Sequence, residues 1–197
     1  MDPLAVFDRI GRLVERRWRD KNYDEAAFPD LCVAILREER PSLSARDLLS
    51  WVLTTDTIPH QFDPGSRFGQ PPLTMFRGPH FLIDALFWME GTTDIHQHGF
   101  CGAFQVLAGS SVHSQYSFTV EERISSAFLL GDVRFERFEI LAPGDTRPIG
   151  AGRSLIHGLF HLERASVTIV IRTYKDNEGG PQYMLHPPSI AIASKVI

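Results

Sequence analysis

The sequence predicts an all-β fold, an antiparallel sandwich or barrel, behind a helical extension. Beyond residue 80, short apolar or alternating segments recur between Gly-containing turns, which is typical of antiparallel sheets. Before residue 59, apolar residues recur at helical spacing instead. We therefore divide the chain into a helical N-terminal extension (1–58), a Gly/Pro-rich loop (59–79) and a β-barrel (80–197).

Three amphipathic helices are predicted in the extension. The first carries an apolar stripe over residues 4–18, and the second spans about 24–40, where Pro41 ends it. The third begins at Ser44, because Ser44 and Asp47 have the spacing of a capping box. This extension either packs on the barrel or forms a homodimer interface, and the residues do not choose between these roles.

Strands are predicted in the rest of the chain from composition and alternation. Residues 81–88 are apolar and aromatic, which indicates a buried strand, and residues 166–173 are rich in β-branched side chains. Residues 133–140 alternate between polar and apolar, which predicts one buried and one wet face. The density of Gly and Pro in 59–79 excludes a helix and indicates a long irregular loop, a candidate lid over a site.

Composition excludes several classes of protein. The net charge is −4 without any run of five or more like charges, so neither nucleic acid nor an anionic membrane is expected as a partner. Cys32 and Cys101 form no disulfide or thiolate-zinc pattern. No secretory signal or membrane-spanning stretch is evident, and we expect a cytoplasmic protein with a small-molecule substrate.

The candidate chemistry begins with two histidines that are two residues apart. On a strand, residues two apart point to the same face, so His96 and His98 can direct both imidazoles at one point. Imidazole is a good ligand for iron, copper, nickel or zinc. A second group, His157 and His161, precedes the β-branched strand and can supply a third imidazole. The other histidines have no such context, and we interpret them as ordinary polar residues; they are His60, His80, His113 and His186.

These two segments resemble the paired motifs of the cupin superfamily. Gly91, His96, His98 and Gly109 occupy the first motif. Gly152 and His157 match the second, in which His161 stands where asparagine is usual. The resemblance implies a double-stranded β-helix, a jelly-roll barrel, with a metal held by His96, His98 and His157. The motif glutamate is absent, because Gly102 and Ala103 stand at the positions that could hold it.

Loss of that glutamate makes the chain similar to the thiol dioxygenases, such as cysteine dioxygenase. The resemblance implies Fe(II) on three histidines, with Cu, Ni, Mn and Zn as alternatives, and dioxygen as co-substrate. It further implies an active-site tyrosine, Tyr174 or its neighbour Thr173, and an upstream arginine, Arg77 or Arg67, that holds the substrate carboxylate. Some members cross-link a cysteine to the tyrosine, and Cys101 lies one position away from that place.

Two further features concern the surroundings of this site. Gln105 lies on the strand after the H-x-H pair and either hydrogen-bonds in the site or is a plain polar strand residue. Aromatic residues of the strands form either a cavity wall or ordinary core, and they are Phe81, Phe87, Trp88, Phe100 and Phe104.

The leading functional hypothesis is a non-haem iron-dependent dioxygenase that acts on a small thiol or amino-acid-like substrate. One alternative keeps the metal as a Lewis acid, in a cupin isomerase or lyase. The other is a non-enzymatic cupin that binds a small ligand.

Overall fold

The computed structural model describes residues 2–62, 68–89, 91–174 and 181–194. Three helices come first: α1 (Pro3–Arg19), α2 (Phe28–Glu39) and α3 (Ala45–Thr54). Eleven strands follow: β1 (Pro72–Arg77), β2 (Phe81–Trp88), β3 (Ile95–His98), β4 (Gly102–Ala108), β5 (Ser111–Arg123), β6 (Phe128–Leu141), β7 (Thr146–Ile149), β8 (Gly152–His161), β9 (Ser166–Thr173), β10 (Tyr183–His186) and β11 (Ile190–Ala193).

Helices α1 and α3 begin after capping side chains, whereas α2 has no side-chain cap at Ala27 and begins four residues after the predicted start near residue 24. Asp2 accepts a hydrogen bond from the Leu4 amide ahead of α1. The capping box of α3 is confirmed, because Ser44 and Asp47 each accept a hydrogen bond from the other's backbone amide. No helix in the described part of the chain is long and apolar enough to cross a membrane.

Two antiparallel sheets follow the helices. The first has the order β1-β2-β9-β4-β7. The second closes on itself in the order β10-β11-β6-β5-β8-β3, because β3 pairs with both β8 and β10. The predicted all-β fold with a helical N-terminal part is confirmed.

Alternation along the first sheet divides its side chains between two apolar environments. One face packs against the helices and holds Ile83, Phe87 and Ile171 in the main core. The opposite face holds Trp88, Phe104 and their neighbours, which line a cavity. The strands therefore read as continuous apolar runs, because both of their faces are covered.

Two segments differ from the sequence-based expectation. The predicted loop 59–79 contains a strand, since residues 72–77 form β1 and pair with β2. A strand tolerates Pro72 at its first residue, where no ladder hydrogen bond is lost. The prediction of one buried face for 133–140 is also wrong, because Phe135, Phe138 and Ile140 are all more than half exposed. They lie on the outer face of the barrel, which no other described element covers there.

Candidate metal centre

Three buried histidines converge on one point between the two sheets. His96 and His98 lie on β3 and His157 lies on β8, the neighbouring strand, where it is the direct partner of His96. Their ligand nitrogens all lie within 4.8 Å of one another. Among the described residues, these three side chains form the group of potential ligands that lie close enough together to hold one metal ion.

The spacing of the nitrogens fits one metal ion. His98 Nε2 and His157 Nε2 are 2.9 Å apart. Two imidazoles that bind one ion at right angles, with metal–nitrogen distances near 2.1 Å, place their nitrogens about 3 Å apart. His98 Nδ1 is buried with no hydrogen-bond partner among the described residues. Among the described residues, the hydrogen-bond contact of this ring is therefore the one between its Nε2 and His157.

Hydrogen bonding also prepares His96 to be a ligand. Its Nδ1 lies 2.7 Å from the backbone carbonyl oxygen of Asp94, to which it donates when that nitrogen carries the proton. The proton on Nδ1 leaves the Nε2 lone pair free for a metal.

All three rings are neutral at pH 7. Burial lowers the pKa of His96 to about 4. Burial also lowers the pKa of His98 well below its usual value, with smaller effects from His96 and the charge of Arg172. The same holds for the pKa of His157, where burial is again the main cause. Neutral imidazole is the form that binds metals, so the site needs no deprotonation at neutral pH.

The structure distinguishes His157 from His161 as the third histidine. Both point to the same face of β8, but four residues along a strand span about 13 Å. His161 instead stacks on Trp88, with ring centroids 4.7 Å apart, and its Nδ1 lies 2.9 Å from Ser111 Oγ. His161 is therefore too far along the strand to share a metal with His96 and His98.

The absence of the motif glutamate has a steric cause. A Cβ atom on Gly102 would lie 1.9 Å from the carbonyl oxygen of Ile171 on the neighbouring strand. Ala103 points away from the histidines, into the core under the helices. Neither position can therefore offer a carboxylate to the site, which agrees with a donor set of three imidazoles.

The triad forms part of the wall of a cavity of about 620 Å³. Aromatic side chains make up much of this wall: Phe62, Phe68, Trp88, Phe100, Phe104 and Tyr174. Phe68 contacts His96 and Phe100 contacts His98, with ring centroids 4.8 and 4.6 Å apart. Among the aromatic candidates from the sequence, Phe81 and Phe87 belong to the helix-side core instead, because alternation places them on the other face of β2.

A charged pair also lines this cavity, and the sequence analysis missed it. Arg172 Nε donates to Asp84 Oδ2 over 3.1 Å, and the Thr74 hydroxyl donates to Asp84 Oδ1 over 2.9 Å. The Arg172 guanidinium lies 5.1 Å from the ring centroid of Phe100, the residue that also contacts His98. The sequence did contain a signal for this pair. Asp84 and Arg172 are each the one charged residue in an otherwise mostly apolar strand, and a buried charge seldom lacks a partner.

Arg77 and Tyr174 lie together at the edge of the cavity. Arg77 Nε donates to the Tyr174 hydroxyl over 3.3 Å, and this hydroxyl donates to the carbonyl oxygen of Gly78 over 2.6 Å. The ring of Tyr174 lines the cavity, whereas Arg77 is exposed, contacts His60 and is not part of the lining. Arg172 lines the cavity and Arg77 does not, and Arg67 lies outside the described residues.

Two other candidates lie on the helix side of the first sheet. Gln105 Nε2 donates to the carbonyl oxygen of Leu36 and to Thr146 Oγ1, so it joins α2 and β7 and does not reach the triad. The Cys101 thiol lies 3.8 Å from Thr173 Oγ1. Both cysteine and threonine are buried on the face opposite to Tyr174, because residues 173 and 174 alternate.

His113 belongs to the surroundings of the triad, which corrects its interpretation as ordinary. It is fully buried on β5, and its Nε2 lies 2.9 Å from His157 Nδ1. Its other ring nitrogen lies 3.0 Å from Glu139 Oε1 on β6. The sequence offered only a weak signal, a histidine within an alternating strand. It could not show that His113 lies next to His157, because that depends on the register between β5 and β8.

Comparisons with known proteins give structural similarity without a sequence match. Neither a family model nor a curated protein matches the chain. The crystal structures of DMSP lyases RdDddP and RnDddQII include a chain that is 15% identical, with a TM-score of 0.47, over 93% of this chain and 100% of that one.

Two further structures are similar over a smaller part of the chain. A cupin-2 domain containing protein from Shewanella frigidimarina is 13% identical, with a TM-score of 0.38, over 65% of this chain and 91% of that one. Hydroquinone 1,2-dioxygenase from Sphingomonas sp. TTNP3 is 8% identical, with a TM-score of 0.42, over 57% and 71%. At such scores these similarities do not say what this chain does. The closed antiparallel barrel packed against a second sheet, behind three helices, fits the jelly-roll barrel with a helical N-terminal part that the motif resemblance implied.

Proposed function

We propose that the chain is a mononuclear non-haem Fe(II) dioxygenase that acts on a small thiol or amino-acid-like substrate. The observation that carries this proposal is the convergence of the buried side chains of His96, His98 and His157 on one wall of an aromatic-lined cavity. Three neutral imidazoles would hold the ion and leave its charge uncompensated. Ferrous iron in such a site supplies the Lewis acidity and the redox chemistry that activation of dioxygen requires.

The other cavity residues would bind and orient the substrate. Arg172 offers a guanidinium to a carboxylate or other anion, and its bond to Asp84 fixes the guanidinium in place. Phe62 and Phe100 lie near the guanidinium, at 5.4 and 5.1 Å from their ring centroids, and further restrict its position. A substrate with an anionic group and an apolar body matches this arrangement.

The aromatic part of the wall would limit the access of water to the histidines. The aromatic side chains leave few polar partners for solvent near the histidines, which strengthens the electrostatic interactions of a bound anion. The Tyr174 hydroxyl already donates to Gly78 and accepts from Arg77, so its ring shapes the wall and its hydroxyl holds the segment after β1.

Metal content and oxygen uptake test the proposal together. The protein is loaded with Fe²⁺ without oxygen, freed of excess metal, and analysed for iron. We expect iron at one per chain in the wild type and its loss in His96→Ala and His98→Ala, with oxygen uptake on addition of one member of a panel of small thiols and amino acids. His161→Ala is the control, because it removes a buried histidine of β8 that lies outside the triad.

The two measurements separate the possible failures. Iron that survives both β3 substitutions would show that the metal lies elsewhere. Iron that is bound by the triad without oxygen uptake for any member of the panel would overturn the dioxygenase activity. That second result would favour Lewis-acid chemistry or ligand binding at the same site.

A further inference from the structure

A line of hydrogen-bonded side chains runs from the triad, away from the cavity, to the outside of the barrel. It starts at His157, passes through His113 and Glu139, and ends at Arg147. These four residues lie on four different strands, β8, β5, β6 and β7. His113 does not line the cavity, so this line meets the metal site from behind, and its function is not contact with a substrate.

Strand register produces this alignment. His113 is paired with Glu139 on β6 and with Leu159 on β8, which places it diagonally next to His157. Diagonal neighbours on one face of an antiparallel sheet are within reach of long side chains. The His113 ring is fully buried, and the ring of Phe104 packs edge-on against it at 5.7 Å.

The acidic end of the line is held as a carboxylate. Arg147 binds Glu139 through two nitrogens, Nη2 to Oε2 at 2.5 Å and Nε to Oε1 at 2.9 Å. Bidentate pairing with arginine is the strongest form of this interaction. An ionised carboxylate has no proton to give, so it acts only as an acceptor.

Because Glu139 can only accept hydrogen bonds, it determines which ring nitrogen of His113 and of His157 carries the proton. The His113 Nδ1–H donates to Glu139 over 3.0 Å, which leaves an acceptor lone pair on His113 Nε2. The His157 Nδ1–H donates to that lone pair over 2.9 Å, which leaves His157 Nε2 without a proton. His157 Nε2 is the nitrogen that lies 2.9 Å from His98 Nε2 in the triad.

We propose that His113 and Glu139 are positioning residues, which hold His157 in the tautomer that binds the metal and increase electron donation from its ring. Outer groups that hydrogen-bond a metal-bound imidazole fix its orientation and its basicity, and their loss weakens metal binding by 10- to 100-fold. This inference rests on the metal site of the proposed function, but it does not depend on the reaction or its substrate.

Binding of Co²⁺ to the metal-free full chain, measured in competition with a chelating dye, tests the inference without any enzymatic assay. We expect Glu139→Gln to raise the Kd for Co²⁺ by tenfold or more, because the amide lacks the charge that orders His113. The ligand-field absorption of bound Co²⁺ is also expected to shift, since a weaker imidazole donor changes the field at the metal.

Two other variants separate positioning from ordinary structural damage. Glu136→Gln changes an exposed glutamate on the same strand, which hydrogen-bonds Ser117, and should leave the Kd within twofold. Arg147→Gln breaks the same ion pair as Glu139→Gln but keeps the carboxylate on His113. We therefore expect a Kd within threefold of the wild type for Arg147→Gln.

The outcomes are decisive. Equal losses of affinity in Glu139→Gln and Arg147→Gln, or a wild-type Kd and spectrum in Glu139→Gln, would overturn the positioning role. Should Glu139→Gln not fold, as judged by its thermal unfolding, His113→Gln takes its place with the same tenfold criterion. Failure of the wild type to bind Co²⁺ would instead overturn the metal site itself, and with it both proposals.

Discussion

His161 is a buried titratable side chain that the triad does not use. It is 5% exposed, stacks on Trp88, and hydrogen-bonds Ser111 through Nδ1. Its Nε2 is buried without a hydrogen-bond partner among the described residues. Burial lowers its pKa to about 4, so the folded protein holds this ring neutral at pH values where the unfolded chain protonates it.

The pKa of His161 predicts an acid sensitivity with a definite sign. The folded pKa lies below the unfolded value near 6.5, so its contribution to stability is fully present above pH 6.5 and is lost as pH falls toward 4. We expect His161→Gln, which does not titrate, to be less affected by acid. The stability difference between wild type and variant should change by about 3 kcal/mol between pH 7 and pH 4. Urea unfolding at several pH values measures this, and parallel pH profiles would contradict it.

At the scale of elements, the contact between β4 and β9 sets the wall of the cavity. Gly102 on β4 is paired with Arg172 on β9, and there is no room for a Cβ atom at this point. Close approach of the two strands therefore leaves no room for the motif glutamate at position 102.

Gly102→Ala should therefore separate β4 from β9. We expect the free energy of unfolding to fall by about 1–3 kcal/mol, the usual cost of an overpacked methyl group. Gly91→Ala is the matched control, because the nearest atom to its added Cβ is 3.6 Å away, which is ordinary contact. Urea denaturation of both variants measures the effect, and equal stabilities would show that the strands yield without cost.

At the scale of the whole molecule, the three-histidine group links two neighbouring strands of the closed barrel. The three side chains come together only when β3 has paired with β8, and an unfolded chain has no such site. A metal that binds there must therefore stabilise the fold.

Metal removal should consequently lower the unfolding temperature. At a free metal concentration of 100 times its Kd, we expect about 2.7 kcal/mol of added stability from binding to the folded state alone. Thermal unfolding with Fe²⁺ or Co²⁺, and again with a chelator, measures this difference. His98→Ala should show no metal-dependent shift, and a shift of the same size in that variant would place the stabilising metal outside the triad.

Much of this architecture was predictable from local pattern. The starts of α1 and α3, the strand at 81–88 and the β-branched strand at 166–173 follow from spacing and capping between near neighbours in sequence. The strand at 72–77 was not predictable, because Gly and Pro around it suggested a loop and its pairing with β2 is a tertiary contact that local pattern does not show. The exposed apolar face of β6 was missed because alternation identifies two faces but does not say which elements cover them.

The sequence by itself determined that His96 and His98 share a face, since a strand alternates every second residue whatever it packs against. Only the tertiary structure decided that His157 and not His161 joins them, that Arg172 faces the cavity, and that His113 lies behind the site. The physical reason is register: pairing between strands far apart in sequence sets which side chains meet, and a shift by one residue would turn each of them to the opposite face.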